Sequence, residues 1–324
     1  MEATISRYLL KKMGTDGLLA RYMNRPAVFD TVAPDDTDTN WEKAQYPRCI
    51  FQLDMQADPE RKISGRLFVD VMCENKKKSA LPEELEAIVK AAVDGCFFST
   101  PDLTISAQWK SSDIFSEKDN KLSGITLSFD VLAYPVQETE SPDPVLTVNL
   151  WLKTLFPKAY VIGRDKLPET WKPTDDSPAL YCRLFSLGDS SRMNSTAAVT
   201  WLDTDMRVNV MAPSEKVRST ICKSSIQILT NATRLMLDDG SPMLINTVHG
   251  NMGADPLREG QIQIKTTYGV LNTYQGTPLD HIFVTGKGAA EHPVLHTGST
   301  DEDALTDDAM NLLMDNDGSR LLAD

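Results

Sequence analysis

Histidine is missing from the first 248 positions of this 324-residue chain; His249, His281, His292 and His296 all fall in its last quarter. A histidine-dependent active site occurring twice along the chain is thereby excluded. Cysteine is sparse too: Cys49, Cys73, Cys96, Cys182 and Cys222, none of them in a C-x-x-C pair, so neither a zinc ribbon nor a thioredoxin-type site is indicated. Cys49, Cys73 and Cys222 sit in apolar, periodic segments, where a free thiol packs as a small hydrophobe, and reduced, buried cysteines are expected. Basic residues are outnumbered 33 to 46, for a net charge of −13, which argues against a broad basic surface that grips nucleic acid. No stretch approaches the ~18–20 apolar residues that span a bilayer, so no membrane partner is expected. The opening MEATISRYLLKKMGTDG lacks the apolar core of a secretion signal, giving the expectation of a protein made in a cytoplasm. G-x-x-x-x-G-K-[ST], G-x-G-x-x-G after a strand and G-x-S-x-G are absent, and no cofactor is expected.

The remaining candidates for chemistry each have a plainer reading. His292 and His296 have i,i+4 metal spacing, but Pro293 intervenes and no helical pattern surrounds them. His249 falls in NTVHGNMG, read as a glycine-flanked, exposed turn. Thr285-Gly-Lys-Gly288 resembles a phosphate loop, yet no helix follows to supply an N-terminus. Asp35, Asp36 and Asp38 lack the glycine and distal glutamate of a calcium loop. Lys76, Lys77 and Lys78 form one basic run with no interleaved aromatics, so it reads as hydration.

What the chain does contain is an order of elements that runs twice, about 135 residues apart. Each half opens with an amphipathic helix, over 5–23 and 145–156, followed by a β-type run at 26–32 and 159–167. A polar, proline-bearing loop then leads to Trp41 in one half and Trp171 in the other. Cysteine-containing strands follow at 48–54 and 181–189, then alternating strands at 66–73 and 206–211. Helices come next. In LPEELEAIVKAAVDG, Leu85, Ile88, Val89, Ala92 and Val93 form one stripe, Pro82, Glu83 and Glu84 suit the N-terminus, and Gly95 is placed to end it. Its counterpart over 213–235 has Val217, Ile221, Ile228, Ala232 and Leu235 on its expected inner face. Each half closes on a long alternating strand, 124–134 and 260–270.

The expected fold class is therefore α+β: two tandem copies of a small domain, each an antiparallel sheet packed by helices. The expected domains are 1–134 and a diverged copy at 145–285, separated by a linker over 135–144. That linker, PVQETESPDP, is rich in proline and glutamate and should be extended and exposed. An acidic segment over 286–324 follows; from Ser299 onward it holds eight acidic residues and one basic, about −7 of the total charge. Such a tail is a docking segment or solvated disorder.

Residues 1–134 also follow a known pattern: an N-terminal helix, RPAVFDTVAPDDTD leading to YPRCIF at 46–51, a polar hairpin, GRLFVDVMCEN, the helix ALPEELEAIVKAAVDG and the strand GITLSFDVLAYP. In this order the chain resembles the tail-completion, or tail-terminator, proteins of long-tailed bacteriophages and phage-like particles, and 145–275 resembles them more loosely. The resemblance implies a non-enzymatic structural protein of the virion tail or neck, assembled in the host cytoplasm. Its implied partners are copies of itself, the tail-tube protein and the neck or connector protein. It would cap the head-proximal end of the tube as a ring, with DNA passing through the lumen without specific binding. Six chains in two tiers are favoured on six-fold tail symmetry, with three chains making a pseudo-hexamer as the alternative. Under this reading, interface candidates are Trp41 and Trp171, together with Arg61 and Lys62 in the hairpin at 54–65 and Asp119 and Lys121 in the loop at 116–124. The plainer alternatives are tryptophans that cap a domain core and loops that meet only solvent. Rival functions are another neck or head-completion protein, a cytosolic adaptor that docks through its acidic tail, and a metal-dependent hydrolase using the C-terminal histidines.

Overall fold

The computed structural model describes residues 1–15, 28–35, 46–56, 64–74, 82–116, 122–137 and 141–272. The chain divides into two compact units, Met1–Val270 and Leu271–Asp324, and the helices and strands of the described residues belong to the first, the last strand ending at the boundary. The architecture is α+β, with four α-helices and two sheets among the described residues.

The first sheet grows from the segments whose apolar residues alternate. Helix α1 (Glu2–Leu9) continues into a π-helical turn, Leu10–Thr15. Strands β1 (Val28–Asp30), β2 (Arg48–Met55) and β3 (Gly65–Glu74) precede helix α2 (Pro82–Val93). Strands β4 (Cys96–Ser99), β5 (Leu103–Ser116) and β6 (Leu122–Pro135) follow. In β3 Leu67, Val69, Val71 and Cys73 point to one side and are buried, the period of two that a half-covered strand requires. They meet Leu85, Val89 and Val93 of α2 and Ile5 and Leu9 of α1 in one core. Each fully buried aliphatic of this kind contributes about 1.5–3 kcal/mol.

The remaining elements, one short strand excepted, build the second sheet. Helix α3 (Pro144–Leu155) starts at Asp143, whose Oδ1 accepts the Leu146 N–H at 2.9 Å, with Pro144 in the first turn where no N–H is needed. Strands β7 (Tyr160–Ile162), β8 (Thr170–Trp171), β9 (Ala179–Asp189) and β10 (Val199–Met211) lead to helix α4 (Glu215–Ala232). Strands β11 (Arg234–Met236), β12 (Pro242–Gly250) and β13 (Ile262–Leu271) complete it. Its core gathers Val148 and Leu152 of α3, Ile221 and Leu229 of α4, and Met206, Val208, Val210 and Ile264 of the strands.

The first sheet is ordered β1-β2-β3-β6-β5-β4-β8 and the second β7-β9-β10-β13-β12-β11. In both, the short opening strand runs parallel to its neighbour, β1 on β2 and β7 on β9. Antiparallel pairs then follow at corresponding places, β2–β3 with β9–β10, β5–β6 with β12–β13, and β4–β5 with β11–β12. One strand departs from this correspondence. β8 pairs antiparallel with β4 and so belongs to the first sheet, not the second.

Several expectations need correction. Trp171 lies on β8 rather than in a loop. His249 is exposed as read, but it sits in β12 opposite Gln263 rather than in a turn. Ile228 is 40% exposed, because α4 turns Ile221, Cys222, Ser225 and Leu229 inward instead. The linker is exposed at Pro135 and Val136, yet it is fastened: the Leu184 N–H donates to Gln137 Oε1 at 2.7 Å, and Pro144 is buried within α3. It marks the passage from one sheet to the next inside a single compact unit. All five cysteines are buried free thiols.

Candidate functional site

The seam between the two sheets brings residues of both halves into a defined tertiary contact. β8 is two residues long, and it adds to the β4 edge with Phe97 opposite Trp171 and Phe98 opposite Thr170. The Ser99 N–H extends the pairing by donating to Glu169 O at 2.9 Å. The Trp171 ring stacks on Phe97 with centroids 4.8 Å apart, and its Nε1–H donates to Ser99 Oγ at 3.0 Å. An indole buried with its one donor satisfied is an anchor on both its apolar and its polar side. Tyr134 meets Tyr181 edge-on at 5.3 Å, and Leu132, Ile162, Ala179 and Met211 fill the space around them.

Polar contacts ring this apolar cluster. Tyr181 OH donates to Pro135 O at 3.0 Å, and Tyr134 OH donates to Leu257 O at 3.3 Å. Lys172 Nζ donates to Ala91 O at 2.9 Å and Asp94 O at 2.7 Å, placing a cation against the carbonyl end of α2, where the helix dipole favours it. Asp130 is nearly buried between two cations, Lys110 Nζ at 3.4 Å and Arg258 Nη2 at 3.5 Å. Arg7 and Glu169 pair at 3.0 Å across an exposed cleft of about 700 Å³ that also exposes Arg164 and Lys166. Asp165 in that cleft is already engaged by Lys153 at 2.7 Å and Arg164 at 2.9 Å, so its carboxylate is a paired group rather than a free acid or base.

The outer face of the second sheet is polar where the first is aromatic. Asp203 accepts hydrogen bonds from the Thr267 hydroxyl and, at 3.1 Å, the Ser191 N–H. Partial burial works to raise its carboxyl pKa, but the hydrogen bonds from Thr267, Ser191 and Ser190 prevail and hold it below the usual range. Gln263 Nε2 donates to Asp205 Oδ2 at 2.5 Å, and Asn246 Nδ2 donates to Thr267 Oγ1 at 2.7 Å. Among the described residues no group of three histidine, cysteine or acidic side chains is placed to hold a metal ion, and no helix is long and apolar enough to cross a membrane.

Of the six interface candidates, Trp171 is placed by the structure, and it is spent inside the chain: at 8% exposure it anchors the seam and is unavailable to a separate subunit. Trp41, Arg61, Lys62, Asp119 and Lys121 lie outside the described residues. So do His281, His292, His296, Asp36, Asp38, the lysines 76–78 and the segments 285–288 and 299–324. Sequence reasoning missed Phe97, Leu132, Tyr134 and Tyr181. The signal was present in VLAYP at 131–135 and CFFS at 96–99, where strands become apolar on both faces and so require cover on both. No family model matches the chain, and neither a curated protein nor a solved structure matches it.

Proposed function

We propose that the protein is a structural, ring-forming component that caps the head-proximal end of a phage tail tube, ends tube polymerisation and joins tail to neck. The two halves are read as copies of one tail-terminator-like domain. The observation that carries the reading is the common strand order of the two sheets together with the unlike-face contact between them. A contact in which one face of a unit meets a different face of its neighbour is the kind that propagates around a ring, whereas a two-fold contact closes at a dimer. A chain that already joins two similar units in this way is a repeating segment of such a ring. Because the contact runs between halves, three chains supply six similar units, and this pseudo-hexameric arrangement is favoured over six chains in two tiers. The polar, hydrogen-bonded outer face of the second sheet and the paired charges of the Arg7–Glu169 cleft suit a surface for assembly more than for turnover.

Locating a tagged copy in isolated particles tests the proposal. Label at the junction of tail and capsid is the expected result, with overlong tubes when the protein is depleted. Label at the distal tip, or tubes of unchanged length without the protein, overturns it.

A further inference from the structure

The cleft between α1, the β4–β5 turn and the β7–β8 connection has on its floor a donor that the fold leaves without an acceptor. Ser99, the last residue of β4, is 6% exposed and lines this cleft of about 700 Å³. Its Oγ accepts two hydrogen bonds, from Trp171 Nε1–H at 3.0 Å and from the Thr104 hydroxyl at 3.1 Å. A serine hydroxyl has two acceptor lone pairs and one hydrogen. The indole and the threonine take both lone pairs, so Ser99 is left as a donor, and its hydrogen finds no acceptor among the described residues. A buried donor in that state costs free energy unless a group in the cleft accepts from it. The Trp171 seam thus sets the polarity of the cleft floor, and the group that suits it is an acceptor.

The walls carry charge of the matching sign. Arg7 of α1 and Arg164 and Lys166 of the β7–β8 connection line the cleft, and Lys153 reaches Asp165 at 2.7 Å. Against these four cations stand two carboxylates among the described lining residues, Glu169 and Asp165. Asp165 is taken by Lys153 and Arg164, and Glu169 by Arg7 at 3.0 Å, which leaves a surplus of two positive charges. Lys166 is exposed and makes no ion pair among the described residues. In a chain of net charge −13, this local surplus runs against the sign of the whole. Pro101, Val136 and Leu167 add an apolar wall, and the volume lies within the range of about 300–1,000 Å³ found for small-molecule sites.

We propose that this cleft binds a small organic dianion, a phosphate monoester or a dicarboxylate, whose oxyanion accepts from the Ser99 hydroxyl and is paired by Lys166 and the two arginines. A dianion matches the surplus of two, and a phosphate monoester carries about that charge near neutral pH. Guanidinium and ammonium groups are donors only, so none of the cleft's cations satisfies the Ser99 hydrogen in the ligand's place. The ring-forming reading neither requires this site nor is tested by it.

The test is calorimetric titration of the full chain near neutral pH and at about 0.1 M salt, with phenyl phosphate and, separately, with phthalate. Saturable binding with a Kd of about 1 mM or tighter is expected for at least one of the two, and the tighter one names the oxyanion. Lys166→Glu is expected to weaken that binding about tenfold or more, since a charge-assisted hydrogen bond is replaced by a like charge. Lys216→Glu, at an exposed lysine of α4 outside the cleft, changes net charge equally and is expected to weaken it about twofold at most. Glu169→Gln frees Arg7 and is expected to tighten binding, by up to about fivefold for an exposed pair, a gain that misfolding does not produce. Ser99→Ala is expected to weaken binding about tenfold, while its thermal midpoint reports separately what the change costs the seam. The proposal is overturned by the absence of saturable binding for both probes, by equal losses in Lys166→Glu and Lys216→Glu, by weaker binding in Glu169→Gln, or by a folded Ser99→Ala chain that binds as tightly as the parent.

Discussion

Two sheet edges stand at corresponding places in this chain and meet different fates. β4 is buried on all four residues, with phenylalanines on both faces, and it carries β8 as the seventh strand of its sheet. β11 follows its helix in the same way, but it is shorter and alternates exposed, half-buried, exposed. The outer faces differ in step with the edges. Leu132 and Tyr134 of β6 are buried by the second half, whereas the outer face of β13 presents Gln263 and Thr267 to Asp205 and Asp203. The difference is that, among the described residues, the β4 edge of the first sheet is covered by a strand from the second half and the β11 edge of the second sheet is not. Aromatic area such as that on β4 would promote indiscriminate association if left open, and its cover by Trp171 removes it from solvent.

The largest expected effect comes from making the covered edge resemble the open one. Trp171→Ala removes the Phe97 stack and the Ser99 hydrogen bond, and unfolding in denaturant should show a loss of about 3–5 kcal/mol. Next is Asp130→Asn, which leaves Lys110 and Arg258 facing a neutral amide at the seam. A loss of about 1–3 kcal/mol is expected in the same measurement, shrinking as Arg258→Gln is added, because the pair then fails together. The helix ends before the two edges give a smaller, opposed pair. Both use left-handed backbone, Gly95 at φ 70° after α2 and Thr233 at φ 58° after α4. Gly95→Ala has open space for its methyl group and should cost about 1 kcal/mol of backbone strain, while Thr233→Gly should gain about as much in thermal unfolding.

The smallest effect at neutral pH, and one shared by both halves, is alkaline. Burial pushes the Cys49 thiol up to about 12 and those of Cys73 and Cys222 to about 11, from an ordinary value of 9.0. A group held protonated by the fold lends stability below its unfolded value and loses it as pH climbs toward its folded one. The urea midpoint should therefore be insensitive to these thiols below about pH 9 and fall above it. Serine at Cys49 and Cys73 should flatten that fall, whatever it costs in packing, and native-state labelling by thiol reagents should be slow at pH 8.

Much of the architecture was legible because it is carried by period. The stripe of Leu85, Val89 and Val93 and the alternation from Leu67 to Cys73 report a buried face directly. The α+β class and the bounds of β2, β3, α2, α3 and β6 follow from such patterns. The misreadings have a common cause. Ile228 fits a helical stripe yet is exposed, while Ser225 is buried, because the position of the sheet, which no local pattern records, chooses the buried face of α4. β8 was invisible as a strand since two residues have no period, and Trp171 is held there by partners more than seventy positions away, Phe97 and Ser99. His249 looked like a turn because of its glycines, but Gly250 ends a paired strand. Of the site itself, the tryptophan was singled out and its partners were not, although the double-faced apolar strands that receive it stood in the sequence.

Direct imaging of the assembled full chain by electron microscopy, averaged along the ring axis, tests the proposal that the chain forms a ring of similar units most directly. The expected view is a closed ring of six similar lobes built by three chains, each pair of lobes joined through the Trp171 seam. A two-fold dimer, or a ring whose chains stack their halves in separate tiers, would contradict it.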